Sequence, residues 1–410
     1  MRCRHCAANL EHVFIDLATA PPSNAYRLEA ELRTPERYYP LRVLVCDRCW
    51  LVQTEDYTDA DELFTGDYAY FSSFSSSWLQ HCQDYVSAMV ARLGLGSSST
   101  VVEIAANDGY LLQYVQQRGI PCYGIEPTAS TAAAARAKGI EIMEEFFGVE
   151  LAQRLVAQKR RADLIAANNV LAHVPDINDF VAGIQQLLNA DGVASFEFPH
   201  LLRLVAETQF DTIYHEHYSY LSLTAVSGIF AANGLEVFAV EGLSTHGGSL
   251  RVFAQRSDTR SRAVETSVAQ LLERERAAGM TTLDFYQGFQ RRADTIKDDF
   301  LRFLLDAKRD GTSVAAYGAA AKGNTLLNYA GVHADLLPYV VDLNPNKQGK
   351  YLPGSLIPIV GVTRLETERP DRVVILPWNL TTEIVQQLPQ VRSWGGKFVR
   401  AIPCLQVLGD

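Results

Sequence analysis

Residues 101–112 read Val101-Val102-Glu103-Ile104-Ala105-Ala106-Asn107-Asp108-Gly109-Tyr110-Leu111-Leu112. A β-branched run, a polar turn holding a glycine and an apolar restart make a strand, a tight turn and a helix. Working outward, β-rich runs recur at Thr100–Ala105, Cys122–Ile125, Ile140–Met143, Asp163–Ala167 and Val193–Phe198, separated by helical stretches. Such alternation predicts a parallel sheet with crossover helices, an α/β fold. A second series has strands at Ser313–Tyr317, Pro338–Val341, Arg372–Leu376 and Lys397–Ala401, with helices beginning near Lys322, Thr363 and Thr381. Between the two series, residues 262–309 read as a packed helix pair broken at Gly279 and Gly288, its apolar positions including Leu271, Leu272, Leu301, Leu304 and Leu305. At roughly 150 residues per domain, 410 residues predict two or three domains.

Upstream, Cys3-x-x-Cys6 and Cys46-x-x-Cys49 supply four thiolates at the spacing of two zinc knuckles. Four thiolates leave no open coordination position, so the metal is expected to be structural. Arg4, Arg42 and Arg48 are expected to offset the thiolate charge. The segment between the knuckles is expected to carry extra strands or a loop, Pro21-Pro22-Ser23-Asn24 among them. Cys82, Cys122 and Cys404 have no partner spacing. The organisation expected is a four-cysteine zinc module over 1–70, a Rossmann-like domain over 71–240 and a second Rossmann-like α/β domain over 241–410. Lys+Arg 37 against Asp+Glu 47 gives a net charge of −10, which argues against a nucleic-acid partner. No 18-residue apolar run predicts a membrane span, and the N-terminus lacks a signal-peptide core. A cytoplasmic protein is expected, with its oligomeric state, monomer included, left open.

The turn at 105–109 meets the carboxyl end of its strand, where α/β folds bind ligands. Glu126, in Tyr123-Gly124-Ile125-Glu126-Pro127, ends the next strand and is placed to accept both ribose hydroxyls of an adenosine. A dinucleotide site needs G-x-G-x-x-G to admit a pyrophosphate. Here Ala105, Asn107 and Gly109 alternate instead, and Asp108 would repel a phosphate. S-adenosylmethionine (SAM) carries a sulfonium and an ammonium, and Glu103 and Asp108 suit those charges. NAD, or a fold with no cofactor, are the alternatives. Asn168, Asn169 and His173 end a further strand under the same cleft.

Tyr214-His215-Glu216-His217-Tyr218-Ser219-Tyr220 places titratable groups in a row between phenols, the makings of a general acid/base. A polar loop with satisfied histidines, or a second metal site, are the other readings. In order, the chain then holds a four-cysteine module, E-I-x-x-N-D-G-Y-L-L, G-I-E-P, N-N-V-x-A-H-V and Y-H-E-H-x-x-Y. Thr245-His246-Gly247-Gly248-Ser249-Leu250-Arg251, Tyr317-Gly318-Ala319-Ala320-Ala321-Lys322-Gly323-Asn324 and Val341-Asp342-Leu343-Asn344-Pro345 follow. This set resembles the nucleotide-sugar C-methyltransferases, across nearly the whole chain. The resemblance implies a class I SAM-methyltransferase domain and methylation at C-3 of a dTDP-linked 4-keto-deoxysugar. It implies His217 as general base, Tyr214 and Glu216 beside the sugar, and a catalytic tyrosine in Asp67-Tyr68-Ala69-Tyr70-Phe71-Ser72-Ser73, Tyr68 before Tyr70. It implies that the C-terminal domain holds the nucleotide diphosphate, with Lys322, Asn324 and Arg251 as candidates. Ser73, His246, Ser249 and Asp342 complete the expected substrate set, although Asp342 equally suits a turn cap. An O- or N-methyltransferase, and a zinc-ribbon binding protein without activity, are the rival readings.

Overall fold

The computed structural model describes residues 1–57 and 71–409. Tyr68 and Tyr70 therefore lie outside the described residues. The N-terminal module is an antiparallel sheet of β1 (His12–Ala20), β2 (Tyr39–Val45) and β3 (Val52–Thr54). One knuckle precedes β1 and the other forms the turn between β2 and β3. All four cysteine sulfurs lie within 4.8 Å of one another, which fits a single tetrahedral ion. The segment between the knuckles is thus mostly the two long strands β1 and β2. Arg4 meets the expectation in part, since the Cys3 sulfur attracts its charge, while the ion pairs lie elsewhere. Arg4 pairs with Asp56, and Arg42 makes a two-pronged pair with Glu55. The hydrogen bond to a cluster sulfur comes from Gln53, whose Nε2 lies 3.2 Å from Cys3 Sγ.

The central lobe has parallel strands β4 (Val101–Ile104), β5 (Cys122–Ile125), β6 (Ile142–Met143), β7 (Ala162–Asn168) and β8 (Leu188–Pro199). β9 (Ser219–Tyr220) leaves this lobe and pairs with β3, adding a fourth strand to the zinc module. β10 (Leu235–Leu243) and β11 (Ser249–Arg256) return as an antiparallel hairpin on β8, so the sheet extends beyond residue 240. Its order is β10-β11-β8-β7-β4-β5-β6. β4 and most of β7 are buried on both faces, which explains their unbroken apolar runs. Strand packing is close at Gly124, where a Cβ would meet Ala106 Cβ at 2.5 Å.

The C-terminal lobe contains β12 (Val314–Tyr317), β13 (Val340–Val341), β14 (Ile359–Val360), β15 (Arg372–Ile375) and β16 (Lys397–Arg400) in parallel, with antiparallel β17 (Gln406–Val407) at the edge. The order β14-β13-β12-β15-β16-β17 is that of a doubly wound fold. The connecting helices, Thr266–Ala277 and Phe289–Arg309, are two as expected but do not form a pair. Leu271 and Leu272 pack on the central core, whereas Leu301 and Leu304 face a core shared by the zinc module and the C-terminal lobe. Leu305 points to solvent. In that shared core Phe14 of β1 stacks on Phe289 at 4.4 Å, and Phe210 and Ile213 join from the central lobe. The three units thus converge on residues 201–220. No helix among the described residues is long and apolar enough to cross a membrane.

Candidate active site

The loop after β4 takes an unusual backbone path. Ala105, Asn107 and Gly109 have φ of 59°, 48° and 75°, so alternate residues are left-handed. That is glycine geometry adopted by two residues with side chains, at a cost of order 1–3 kcal/mol each. The path is held by Glu126 at the end of β5, whose carboxylate accepts from Asn107 N at 2.9 Å and from Thr128 N at 3.0 Å. Pro127 follows it at the strand end. Asn107 Oδ1 in turn accepts from Ser72 N at 3.0 Å.

The cleft above this loop is rich in buried acceptors. Asp108 Oδ1, Asn168 Oδ1 and Asn169 Oδ1 are buried without a hydrogen-bond donor, and the buried Glu103 carboxylate is met only by Tyr110 and the Leu112 backbone. Burial pushes the Glu103 carboxyl well above the usual range, with the negative charges of Asp108 and Glu126 adding to it. A bound cation relieves such a site and a pyrophosphate aggravates it. The donor set therefore fits the sulfonium and ammonium of SAM. Lys138 reaches Asp108 O at 2.6 Å and Ser73 Oγ at 3.0 Å, which ties the loop to the segment after residue 70.

Beyond the cleft lies His217. Its Nδ1 is 2.7 Å from Thr212 O, and a carbonyl can only accept, so Nδ1 carries the proton. Nε2 is left with the lone pair, which accepts from the Tyr214 hydroxyl at 2.8 Å. Burial draws the imidazole well below its usual 6.5, and the neighbouring His173, Lys322 and His246 draw it down further. His217 is thus a neutral imidazole. His173 packs edge-on against it at 4.6 Å between ring centres. The backbone of His217 hangs from the zinc module: Thr54 Oγ1 donates to His217 O at 2.6 Å, and Thr54 N to Tyr218 O at 3.1 Å. Both carboxylate oxygens of Glu216 accept from Asn24 Nδ2, at 2.8 and 2.9 Å. His215 turns the other way, to Pro40 O at 3.2 Å, so it shares no metal site with His217.

From the C-terminal lobe, Lys322 enters fully buried, 2.9 Å from Asn379 Oδ1 and 5.0 Å above the Trp378 ring. Burial lowers its pKa, and Asp211 opposes that. Burial also lifts the Asp211 carboxyl to about 7, against Lys322 and the Trp378 indole N–H at 2.7 Å. His246, at φ 54°, tilts against the Trp78 ring at 5.3 Å, its Nε2 3.3 Å from Asn169 Nδ2. Burial lowers it to about 4.

Four of the expected substrate residues are engaged elsewhere. Arg251 lies buried between Glu197, at 2.8 Å, and the Tyr85 ring. Asn324 Nδ2 holds Ser23 O at 2.7 Å, and Ser249 Oγ holds Thr245 O at 3.0 Å. Asp342 caps turns, accepting from Ala319 N at 2.7 Å and Asn344 N at 2.8 Å. Conversely, sequence reading missed Asn24, Thr54, Thr212, Asp211 and Trp378, none of which carries a motif of its own.

Three domain families match the chain. Residues 3–64 match a zinc-binding domain, 78–240 a methyltransferase domain and 244–403 a C-methyltransferase C-terminal domain. The chain is 34% identical to C-methyltransferase NovU of Streptomyces niveus over 90% of its own length and 87% of that protein's. Among solved structures, the SAM-bound magnesium protoporphyrin IX methyltransferase of Synechocystis PCC 6803 aligns at 18% identity and TM-score 0.36, covering 50% of this chain and all of that one. A SAM-dependent methyltransferase from Clostridium acetobutylicum aligns at 9% identity and TM-score 0.36, covering 43% of this chain and 92% of that one.

Proposed function

This chain belongs to the SAM-dependent C-methyltransferases with an N-terminal zinc module, and we propose that it methylates C-3 of a nucleotide-linked 4-keto-deoxysugar, dTDP being the expected carrier. The observation that carries the reading is His217, a neutral imidazole with its lone pair fixed on Nε2 where all three units meet. A C–H beside a ketone is acidic enough for such a base. Nε2 takes the C-3 proton while the bond from Thr212 O to Nδ1–H steadies the imidazolium that forms. A tyrosine hydroxyl, Tyr68 or Tyr70 by position in the sequence, stabilises the oxyanion growing at O-4. The Tyr214 hydroxyl, which occupies the Nε2 lone pair in the unliganded site, gives way to the C-3 hydrogen when the sugar binds, and Asn24 holds the Glu216 carboxylate. Lys322 meets the anionic part of the substrate, an attraction that offsets the cost of burying its charge. SAM, which residues of the 105–109 loop would hold, would supply an electrophilic methyl for the enolate carbon and leave as S-adenosylhomocysteine. Glu126 would hold its ribose, and Glu103 and Asp108 would face its cationic end.

The pH profile tests the base. Because kcat/KM reports the free enzyme, and burial holds His217 below its usual 6.5, activity is expected to stay flat through neutrality. It falls only on the acid side of that value, as the imidazole protonates. An acid limb centred above pH 7 contradicts the assignment. The cofactor site is tested separately. Glu126→Ala removes charge-assisted hydrogen bonds worth about 1.5–3 kcal/mol, so calorimetry is expected to show SAM bound roughly 10–100-fold more weakly. An unchanged Kd removes Glu126 from the cofactor site.

A further inference from the structure

The turn that follows β1 carries the zinc module into the reaction site. Ala25 N bonds Pro22 O at 3.1 Å and Tyr26 N bonds Asn24 O at 2.9 Å, which closes residues 22–26 into a tight turn. Three of its residues reach three different places. Ser23 O accepts from Asn324 Nδ2 at 2.7 Å, the Tyr26 hydroxyl donates to Ala319 O at 2.6 Å, and Asn24 Nδ2 spans the two carboxylate oxygens of Glu216. Lys347 Nζ reaches the same Ala319 carbonyl at 2.8 Å and lies 5.3 Å from the centre of the Tyr26 ring. The turn is thus clamped against the loop and helix that bear Lys322, and the Asn24 amide faces the residue that precedes His217.

Glu216 is 1% exposed. A carboxyl buried to that degree is disfavoured as an anion unless donors meet it. An amide nitrogen only donates, so both contacts favour the ionised form over the protonated one. The carboxylate also fixes the amide's orientation, since the amide oxygen turned toward it would be repelled. The metal lies at the other end of the module. β1 has nine residues, so roughly 25–30 Å of strand separates the first knuckle from this turn. Asn24 can therefore be changed without touching the cysteine cluster.

We propose that Asn24 is a positioning residue of the methyl-transfer site, lent by the zinc module to hold Glu216 ionised and fixed beside the base, where it accepts from a donor on the sugar. The inference rests on the reading that a sugar is deprotonated at His217. It gives the zinc module a part in the site's polar framework that is separate from mounting the His217 backbone.

The test compares Asn24→Ala and Asn24→Asp with the wild type in turnover of a dTDP-4-keto-deoxysugar, thermal unfolding, SAM affinity and zinc content. Asn24→Ala is expected to lose at least about tenfold in kcat/KM, with SAM affinity and zinc content as in the wild type. Asn24→Asp sets a second carboxyl against Glu216, and two carboxylates so close do not both ionise freely, so one pKa of the pair rises above its value in the unfolded chain. While that proton is bound, the introduced carboxyl donates to Glu216 as the amide did. As pH rises through the raised pKa the proton leaves and the pair repels. Asn24→Asp is therefore expected to approach the wild type at about pH 5, in unfolding temperature and in kcat/KM, and to fall behind it toward about pH 8. The other titratable groups around this carboxylate, Tyr26, Lys347, Asp342, His173 and His217, are common to both proteins and cancel in the comparison. Turnover of Asn24→Ala within twofold of the wild type overturns the proposal, and so does an Asn24→Asp deficit that is the same at every pH. If the wild type makes no methylated sugar, the reaction reading fails. The pH-dependent gap in unfolding temperature then still upholds or refutes the hold of Asn24 on the charge of Glu216.

Discussion

Replacing His217 with asparagine or alanine is expected to lower methyl transfer by about 10²–10⁴-fold, the usual contribution of a positioned general base, while SAM binding remains near wild type. The split follows from the geometry. His217 bonds to Thr212 O and Tyr214, neither of which belongs to the 105–109 loop, and no cofactor-loop residue depends on its ring. Retained SAM binding separates loss of the base from loss of the fold. Initial rates with saturating SAM, together with a SAM titration of the same preparation, make the measurement. Wild-type turnover in either variant removes His217 as the base.

The second large effect comes from the metal. Cys46→Ser, or chelation, is expected to unfold the module and to reduce turnover by at least about a hundredfold, although no step of the reaction needs zinc. Metal binding in small zinc modules is worth about 10–16 kcal/mol, and the sheet here is built around the ion: Cys46 and Cys49 form the turn between β2 and β3. β3 carries Thr54, which holds the His217 carbonyl, and Arg4, beside the first knuckle, donates to Tyr218 O at 3.1 Å. Losing the ion frees the backbone on which the base is mounted. Zinc content, thermal unfolding and turnover are expected to fall together and to leave SAM affinity largely intact. Full activity in a metal-free Cys46→Ser protein contradicts the structural link between the two sites.

What the sequence disclosed was set by distance along the chain. Strands and crossover helices are local patterns, and the runs at 101–104 and 372–375 fall where β-branched residues cluster. The 105–109 loop was legible because Ala105, Asn107 and Gly109 alternate, and these are the residues that turn left-handed. Partner choice was not legible. Arg251 looked available for a phosphate, because nothing near it in sequence shows Glu197 waiting on the adjacent strand β8. Asn24 looked like an ordinary loop residue, yet it grips Glu216 across 192 positions. Asp342 reads equally as a ribose acceptor or a turn cap, and only the amides of Ala319 and Asn344 decide for the cap. Leu305 fitted the apolar spacing of its helix, but residues 289–309 bury one face only, and it lies outside it.

The most direct test of the central claim follows the hydrogen at C-3. A dTDP-4-keto-deoxysugar deuterated at C-3 is incubated with the enzyme and SAM in ordinary water, and the product is read by mass spectrometry and NMR. Base-catalysed C-methylation predicts a new carbon–methyl bond at C-3 and loss of the deuterium to solvent, with both events suppressed in His217→Asn. A methyl group on oxygen or nitrogen, with the deuterium retained at C-3, would contradict it.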